Sequence, residues 1–182
     1  MITGDRVHDR EILDALEAIA PTKLATNVWR VTRQGRNALR GSSANGRWSP
    51  VGEFEVLYTS LERDGALSEI GFRLSLEPVW PSLIRHELHS IRVNAENILP
   101  LTNLKLLRTL GVNADNYASF DYERTQAVAA AARFLNYAGM LVPNARFDCL
   151  NFVAFNDRIP LDAFDIRASK PIDWEQWRRS RR

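Results

Sequence analysis

Three places in the sequence carry side chains of types that do chemistry. The first is the stretch from Trp29 to Glu69, which contains Trp29-Arg30-Val31, Gly46-Arg47-Trp48, Leu57-Tyr58-Thr59-Ser60 and Ala66-Leu67-Ser68-Glu69. By type alone each of these also has a plain structural use. Arg47 reads equally as a loop arginine in a surface salt bridge, Tyr58 as a half-buried strand aromatic, Glu69 as a solvated helix carboxylate and Trp48 as packing. The second place is His86 and His89, with Glu87 between them. Two histidines share a metal only if their ring nitrogens converge. On a strand these positions face opposite sides, and no third ligand lies nearby, so the expectation is ordinary histidines and no metal. The third is Cys149, in an apolar run with no basic neighbour to stabilise a thiolate. It reads as an inert core residue. A P-loop, the fingerprint G-x-G-x-x-G and a G-x-S-x-G elbow are all missing, so a bound nucleotide would not be held in those ways.

The elements that must position these groups follow from periodicity and punctuation. Residues 9–20 predict an amphipathic helix with Ile12, Leu13, Leu16, Ile19 and Ala20 on one stripe, stopped by Pro21. Residues 28–33 predict a short strand. A loop rich in Gly, Ser and Asn then runs through Gly35, residues 41–46 and residues 49–52. Residues 56–59 predict a strand, and Ser60 an N-cap for a helix reaching Leu74. Residues 84–93 predict a strand with Ile91 and Val93 on one face. Thr102 to Leu110 predicts a short helix with Gly111 just past its end. Residues 122–138, with Ala127 to Ala132 at their centre, predict the strongest helix, ended by Gly139. A loop from Met140 to Ala145 and a strand from Cys149 to Phe155 follow, turned by Asn156-Asp157. Segregated strands and helices argue for a single α+β domain.

Composition bounds the function. The 182 residues fit one domain. Apolar residues at 45% and charged residues at 25% exclude a disordered chain, a collagen-like repeat and a disulfide scaffold. No apolar run approaches the ~20 residues that span a bilayer, and the acidic N-terminus lacks the features of a signal peptide. One cysteine forms no intrachain disulfide, which points to a reducing cytoplasm. The net charge of +2, from 24 basic and 22 acidic side chains, is too small to make the whole domain a nucleic-acid binder. Lysine occurs only at Lys23, Lys105 and Lys170, so the basic groups are mostly arginines, which suit paired contacts to carboxylate and phosphate. The dense run Arg178-Arg179-Ser180-Arg181-Arg182 reads as a solvated, mobile tail, with contact to nucleic acid or an acidic partner as the alternative.

The order of the pieces resembles the RES domain family, the toxin half of a bacterial toxin–antitoxin system, named for its arginine, glutamate and serine. The pieces are Arg30-Val31, Gly46-Arg47-Trp48, Leu57-Tyr58-Thr59-Ser60 and Ala66-Leu67-Ser68-Glu69. A late pair follows: Gly139-Met140-Leu141-Val142-Pro143-Asn144-Ala145-Arg146, then Asn151-Phe152-Val153-Ala154-Phe155. The match spans about residues 28–155. It divides the chain into a helical extension over 1–26, a RES core over 27–158 and a C-terminal extension with a basic tail over 159–182. One departure is Asn144 at the family serine; it can donate and accept hydrogen bonds but offers no hydroxyl nucleophile.

The resemblance implies a fold like the ADP-ribosyltransferases, with a mixed sheet and flanking helices. It implies a cytoplasmic enzyme, an NAD phosphorylase or glycohydrolase. Such an enzyme cleaves the nicotinamide–ribose bond with phosphate or water as acceptor. NAD is then a substrate, and neither a cofactor nor a metal is implied. In that chemistry Glu69 stabilises positive charge building on the ribose. Arg47, in a glycine-flanked turn, grips pyrophosphate or an attacking phosphate, and Tyr58 offers a ring face or a hydroxyl. Arg30 is a second phosphate contact, while Gly46, Trp48 and Asn144 complete the substrate-binding set. The implied partner is a cognate Xre-like helix-turn-helix antitoxin that covers the active site in a hetero-oligomer, with no membrane and no direct nucleic-acid contact by this chain. Three other readings remain: a degenerate domain that binds NAD or antitoxin without turnover, a protein ADP-ribosyltransferase, and a nucleic-acid module using Trp174, Trp177 and the arginine tail.

Overall fold

The computed structural model describes residues 7–181. Residues 1–6 of the expected N-terminal extension and Arg182 of the basic run lie outside the described residues. Asp9 opens the first helix, α1 (Arg10–Glu17), by accepting from the Glu11 amide; Ile12 and Leu16 are buried on the expected stripe. Strand β1 (Thr22–Arg33) then begins well before Val28. Its first half alternates without an apolar run, and it is a strand because β3 (His86–Pro100) pairs with it from Thr22↔Ile98 to Arg33↔His86. The remaining elements are β2 (Val56–Ser60), α2 (Arg63–Ser75), α3 (Leu104–Thr109), α4 (Glu123–Phe134), β4 (Gly139–Pro143), β5 (Leu150–Phe155), β6 (Phe164–Pro171) and α5 (Trp174–Arg179).

Several expectations need correction. Ser60 does not cap α2; it ends β2, paired with Asn151 and Trp29, and its hydroxyl lies 3.3 Å from Cys149 Sγ. The cap position is Glu62, whose side chain makes no capping bond. The strong helix stops at Phe134, because Asn136 takes a left-handed backbone (φ 65°). Gly139 is therefore not a helix stop. It begins β4, and the expected Met140–Ala145 loop is mostly that strand, paired with β5 from Gly139↔Ala154 to Pro143↔Leu150. Beyond residue 158 the chain adds a strand and a helix. β6 lies along β3 at the sheet edge, and α5 buries Trp174.

The strand order is β1-β2-β5-β4-β3-β6, and β1 also pairs with β3, so five strands close into a ring with β6 outside it. All pairings are antiparallel except β3–β4. Two seams of the ring are short. β3 meets β4 over Ile98–Pro100, and β1 meets β2 only at Trp29↔Ser60. One core draws Val28, Leu57, Ile91, Leu141, Phe152 and Phe164 from all six strands. A second packs α1, α3 and α4 on Val153, Phe155 and Trp48. A third lies under α2 and α5, with Val31, Leu67 and Trp174. The result is one α+β domain with a mixed sheet and flanking helices. No helix among the described residues is long and apolar enough to cross a membrane.

Candidate active site

Where β1 and β2 part at their one-pair seam, the chain leaves a cavity of about 250 Å³. Trp29, Arg30 and Val31 line it from β1, and Tyr58, Thr59 and Ser60 from β2. Gly46, Arg47 and Trp48 close one side, and Glu69 and Arg73 project from α2. The fold thus gathers onto one cavity every expected site residue except Asn144.

The turn at Gly46 is locked onto β2 by Tyr58. The Trp48 amide donates to the Tyr58 hydroxyl (2.9 Å), which lies 3.0 Å from Ser49 Oγ; Ser49 in turn donates to the Ala44 carbonyl (2.9 Å). Since the Ser49 proton is committed to Ala44, Tyr58 donates to Ser49. Burial raises the Tyr58 pKa, so the phenol stays neutral. Its hydroxyl is therefore used within the protein, and what remains for a ligand is the ring. A side chain at Gly46 would strike Ser49 Oγ at 2.7 Å and the Tyr58 hydroxyl at 2.8 Å. The glycine thus serves the approach of Tyr58. Gln126 of α4 fixes the same turn, donating to the Gly46 carbonyl (2.8 Å) and Asn45 Oδ1 (2.7 Å). Trp48 is almost fully buried and packs in the α4-side core.

Four guanidinium groups line the cavity, from Arg30, Arg47, Arg73 and Arg146. Among the described residues none of them forms an ion pair with a carboxylate. Arg30 donates to the carbonyls of Tyr58 (3.3 Å) and Arg40 (2.9 Å), and its buried Nε has no partner. Burial lowers its pKa to about 10, which still leaves it charged at neutral pH. Arg47 is held between two rings, 4.6 Å from the Tyr117 centroid and 5.0 Å from that of Tyr122, and donates to the Ser119 carbonyl (3.1 Å). Tyr117 is itself pinned by donation to the Pro143 carbonyl (2.7 Å).

Glu69 is the one carboxylate on the lining among the described residues. Its Oε1 accepts from the Ala145 amide (3.3 Å) and Asn151 Nδ2 (3.5 Å). Asn144 stands behind it, 8% exposed. Its Oδ1 accepts from the amides of Arg146 (2.7 Å) and Phe147 (3.0 Å), and its Nδ2 donates to Asn151 Oδ1 (2.8 Å). Asn144 thus shapes the turn after β4 and orients Asn151, which orients Glu69.

Arg73, Gln126, Arg146, Asn151, Tyr117 and Tyr122 were not singled out by sequence. Arg73 had a usable signal, lying four residues after Glu69 on one helix face. Arg146 and Asn151 stand inside the quoted late motifs. Tyr117 and Tyr122 had none. Away from the cavity, both histidines are structural. His86 Nδ1 accepts from Trp174 Nε1 (3.1 Å), while His89 lies between Thr32 Oγ1 (2.8 Å) and Ser169 Oγ (2.7 Å). No cluster of metal-binding side chains occurs among the described residues. Burial raises the pKa of Cys149, consistent with an inert thiol.

A family model, the RES domain, matches residues 27–178. The chain belongs to the RES domain family. The match takes in β6 and most of α5 as well as the cavity. The NAD(+) phosphorylase MbcT of Mycobacterium tuberculosis is 27% identical over 169 residues, covering 88% of this RES chain and 90% of that protein. A probable NAD(+) phosphorylase of the same organism is 32% identical over 116 residues, 63% of this chain and 55% of the other. The crystal structure of the M. tuberculosis MbcT–MbcA toxin–antitoxin complex contains a chain of the same fold. Its TM-score is 0.81 at 23% identity, over 94% of this chain and 97% of that one.

Proposed function

We propose that this RES protein is a toxin that consumes NAD⁺ by phosphorolysis, with the β1–β2 cavity as its active site. One observation carries the reading. A single carboxylate, Glu69, shares the cavity with four arginines that have no carboxylate partners among the described residues. That surplus of positive charge suits a ligand with several phosphate charges, enough for a dinucleotide pyrophosphate and a free phosphate together. The names of the relatives point to the same reaction. A sheet that opens over a cleft at the β1–β2 seam suits the ADP-ribosyltransferase-like architecture that the resemblance implies.

The residues divide the work as follows. An oxygen of inorganic phosphate bonds to the ribose anomeric carbon as the carbon–nitrogen bond to nicotinamide breaks. Nicotinamide leaves neutral with the bonding pair, and ADP-ribose keeps the phosphate at that carbon. Glu69, fixed by Asn151 and the Ala145 amide, faces the positive charge that builds on the ribose. Arg47 and Arg30 grip phosphate oxygens. The Tyr58 ring packs on the nicotinamide. NAD⁺ enters as substrate, and no metal or cofactor takes part. Asn144 stands behind the wall, so the absence of a serine hydroxyl there removes no group from the cavity. The partner is an antitoxin, a reading supported by the toxin–antitoxin assembly of the structural relative; the family resemblance adds that it is of the helix-turn-helix class and covers the cavity in the cytoplasm.

The test follows NAD⁺ loss and nicotinamide release by the purified chain, with and without inorganic phosphate, beside Glu69→Ala. Phosphate-dependent loss that disappears in the variant is the expected result. Loss without phosphate makes the enzyme a glycohydrolase, and label transferred from NAD⁺ to protein makes it a transferase. No loss by the folded wild type leaves a binding domain.

A further inference from the structure

One rim of the cavity ends in a largely exposed aromatic ring, backed on one side by Phe72, met at its edge by Tyr122 (6.2 Å between centroids) and approached by the Arg146 guanidinium at 5.9 Å from its centroid. Phe120 stands there 60% exposed, in the loop ahead of α4. Its ring is near-parallel to that of Phe72, with 26° between planes and 6.3 Å between centroids. Arg146 lies over the Phe72 face at 3.5 Å from the centroid. The loop is tied down by the two residues before Phe120. The Ala118 carbonyl accepts from Arg146 Nη2 (2.7 Å), and the Ser119 carbonyl from Arg47 Nη2 (3.1 Å). A large apolar ring is thus held in water by polar anchors, when burying it would be favourable by roughly 1.5–3 kcal/mol. A fixed aromatic face open to solvent suits the stacking of a flat ligand.

Size and direction agree. The cavity of about 250 Å³ is smaller than the ~300–1,000 Å³ that encloses a drug-sized ligand, and a dinucleotide is larger still. With one nucleoside beside Glu69, the other must lie at the mouth. The α2 face leads there, since Glu69, Phe72 and Arg73 are spaced three and four apart on one side of the helix. We infer that Phe120, backed by Phe72 and Arg146, is a stacking platform for the purine base of the substrate's second nucleoside. This rests on the NAD⁺ reading above and adds the residue that separates a dinucleotide from a mononucleotide.

The experiment compares NAD⁺ with nicotinamide mononucleotide, which has the same bond to break and no adenylate. Phe120→Ala is expected to lower the ratio of their kcat/KM values about tenfold through the KM for NAD⁺, and Phe120→Trp to restore it. An unchanged ratio overturns the platform. So does an equal fall for both substrates, which would mean that Phe120 acts only through Ser119 and Arg47. Titration of ADP reads the platform without turnover, with binding expected to weaken about tenfold in Phe120→Ala. Equal ADP affinity of wild type and variant overturns the proposal. A wild type that consumes neither substrate but binds ADP more tightly than the variant supports the platform and refutes only the phosphorolysis reading.

Discussion

Arg47 shows how much of a functional side chain is set by its neighbours. Its guanidinium is a flat plate between Tyr117 and Tyr122, and one nitrogen is already committed to the Ser119 carbonyl. Lysine keeps the charge but loses the stack and the paired donors. Arg47→Lys should therefore lower kcat/KM for NAD⁺ by about 5- to 30-fold, since a partly desolvated cation–ring contact is worth ~1–2 kcal/mol. Steady-state kinetics at saturating phosphate would read it, and wild-type values would mean that charge alone suffices. Tyr58 should behave differently. Its hydroxyl serves the Trp48 amide and Ser49, so Tyr58→Phe leaves a buried donor unpaired at a cost of about 1–3 kcal/mol. The expected outcome is a melting temperature lower by several degrees, at ~2–4 °C per kcal/mol for a chain of this size. The kcat of the folded fraction should stay near wild type; a kcat collapse with unchanged melting would mean that the hydroxyl acts on substrate. The residues legible in the sequence were those inside short motifs, Arg47, Tyr58 and Glu69 above all. Tyr117 and Tyr122 were illegible because their role depends on a loop some 72 residues beyond Arg47 folding back over it. No local pattern encodes that return.

Elements were legible where a local pattern carries them, as in the one-sided stripe of α1 and the short apolar runs of β2 and β5, which are buried on both faces. They were illegible where a partner strand dictates them. The first half of β1 and the end of β3 are strands because they pair with each other, and β6 is an almost wholly exposed edge strand whose short alternation of Phe164, Ile166 and Ala168 with polar residues is held as a strand by pairing with β3. The histidines illustrate the same point, since each pins one element to another. His89 bridges Thr32 on β1 and Ser169 on β6, and His86 accepts from Trp174 on α5. Burial holds both imidazoles below the ordinary histidine value of 6.5, with Arg33 adding to the effect at His86; at His89 the Glu87 and Arg30 charges act in opposite directions. The unfolded chain therefore takes up protons at a higher pH than the folded one. The stability that these neutral rings contribute is complete above about pH 6.5 and is lost as pH falls below it. Thermal melts from pH 7.5 down to 5.5 should show a falling midpoint. His89→Asn should be less stable at pH 7.5 and show a shallower fall. A slope that stays the same in His89→Asn and in His86→Asn would assign the pH effect elsewhere.

At the scale of the molecule, the site exists because the ring of strands closes badly. Five strands join into a ring, yet β1 and β2 share one register pair, and the opening between them is the cavity. Such a seam weakens the domain unless something crosses it. Arg30 does so from within, reaching from β1 to the Tyr58 carbonyl on β2, but its Nε remains buried and unpartnered. Around it the whole chain is nearly neutral, at +2, while the cavity gathers four arginines against one carboxylate. The excess charge is therefore local, and an anion that enters should close the seam electrostatically. Binding to the folded state alone stabilises by RT ln(1 + [L]/Kd), about 2.7 kcal/mol at a hundred times Kd. For a chain of this length that is an upward shift in melting temperature of roughly 5–10 °C. Inorganic phosphate should produce it, and potassium chloride at equal ionic strength should not. Arg30→Met keeps the bulk of the side chain, removes the buried cation and should abolish most of the shift. Should chloride raise the midpoint as far as phosphate does, or Arg30→Met keep the full response, the cavity would be no phosphate site, and the four arginines would need another ligand.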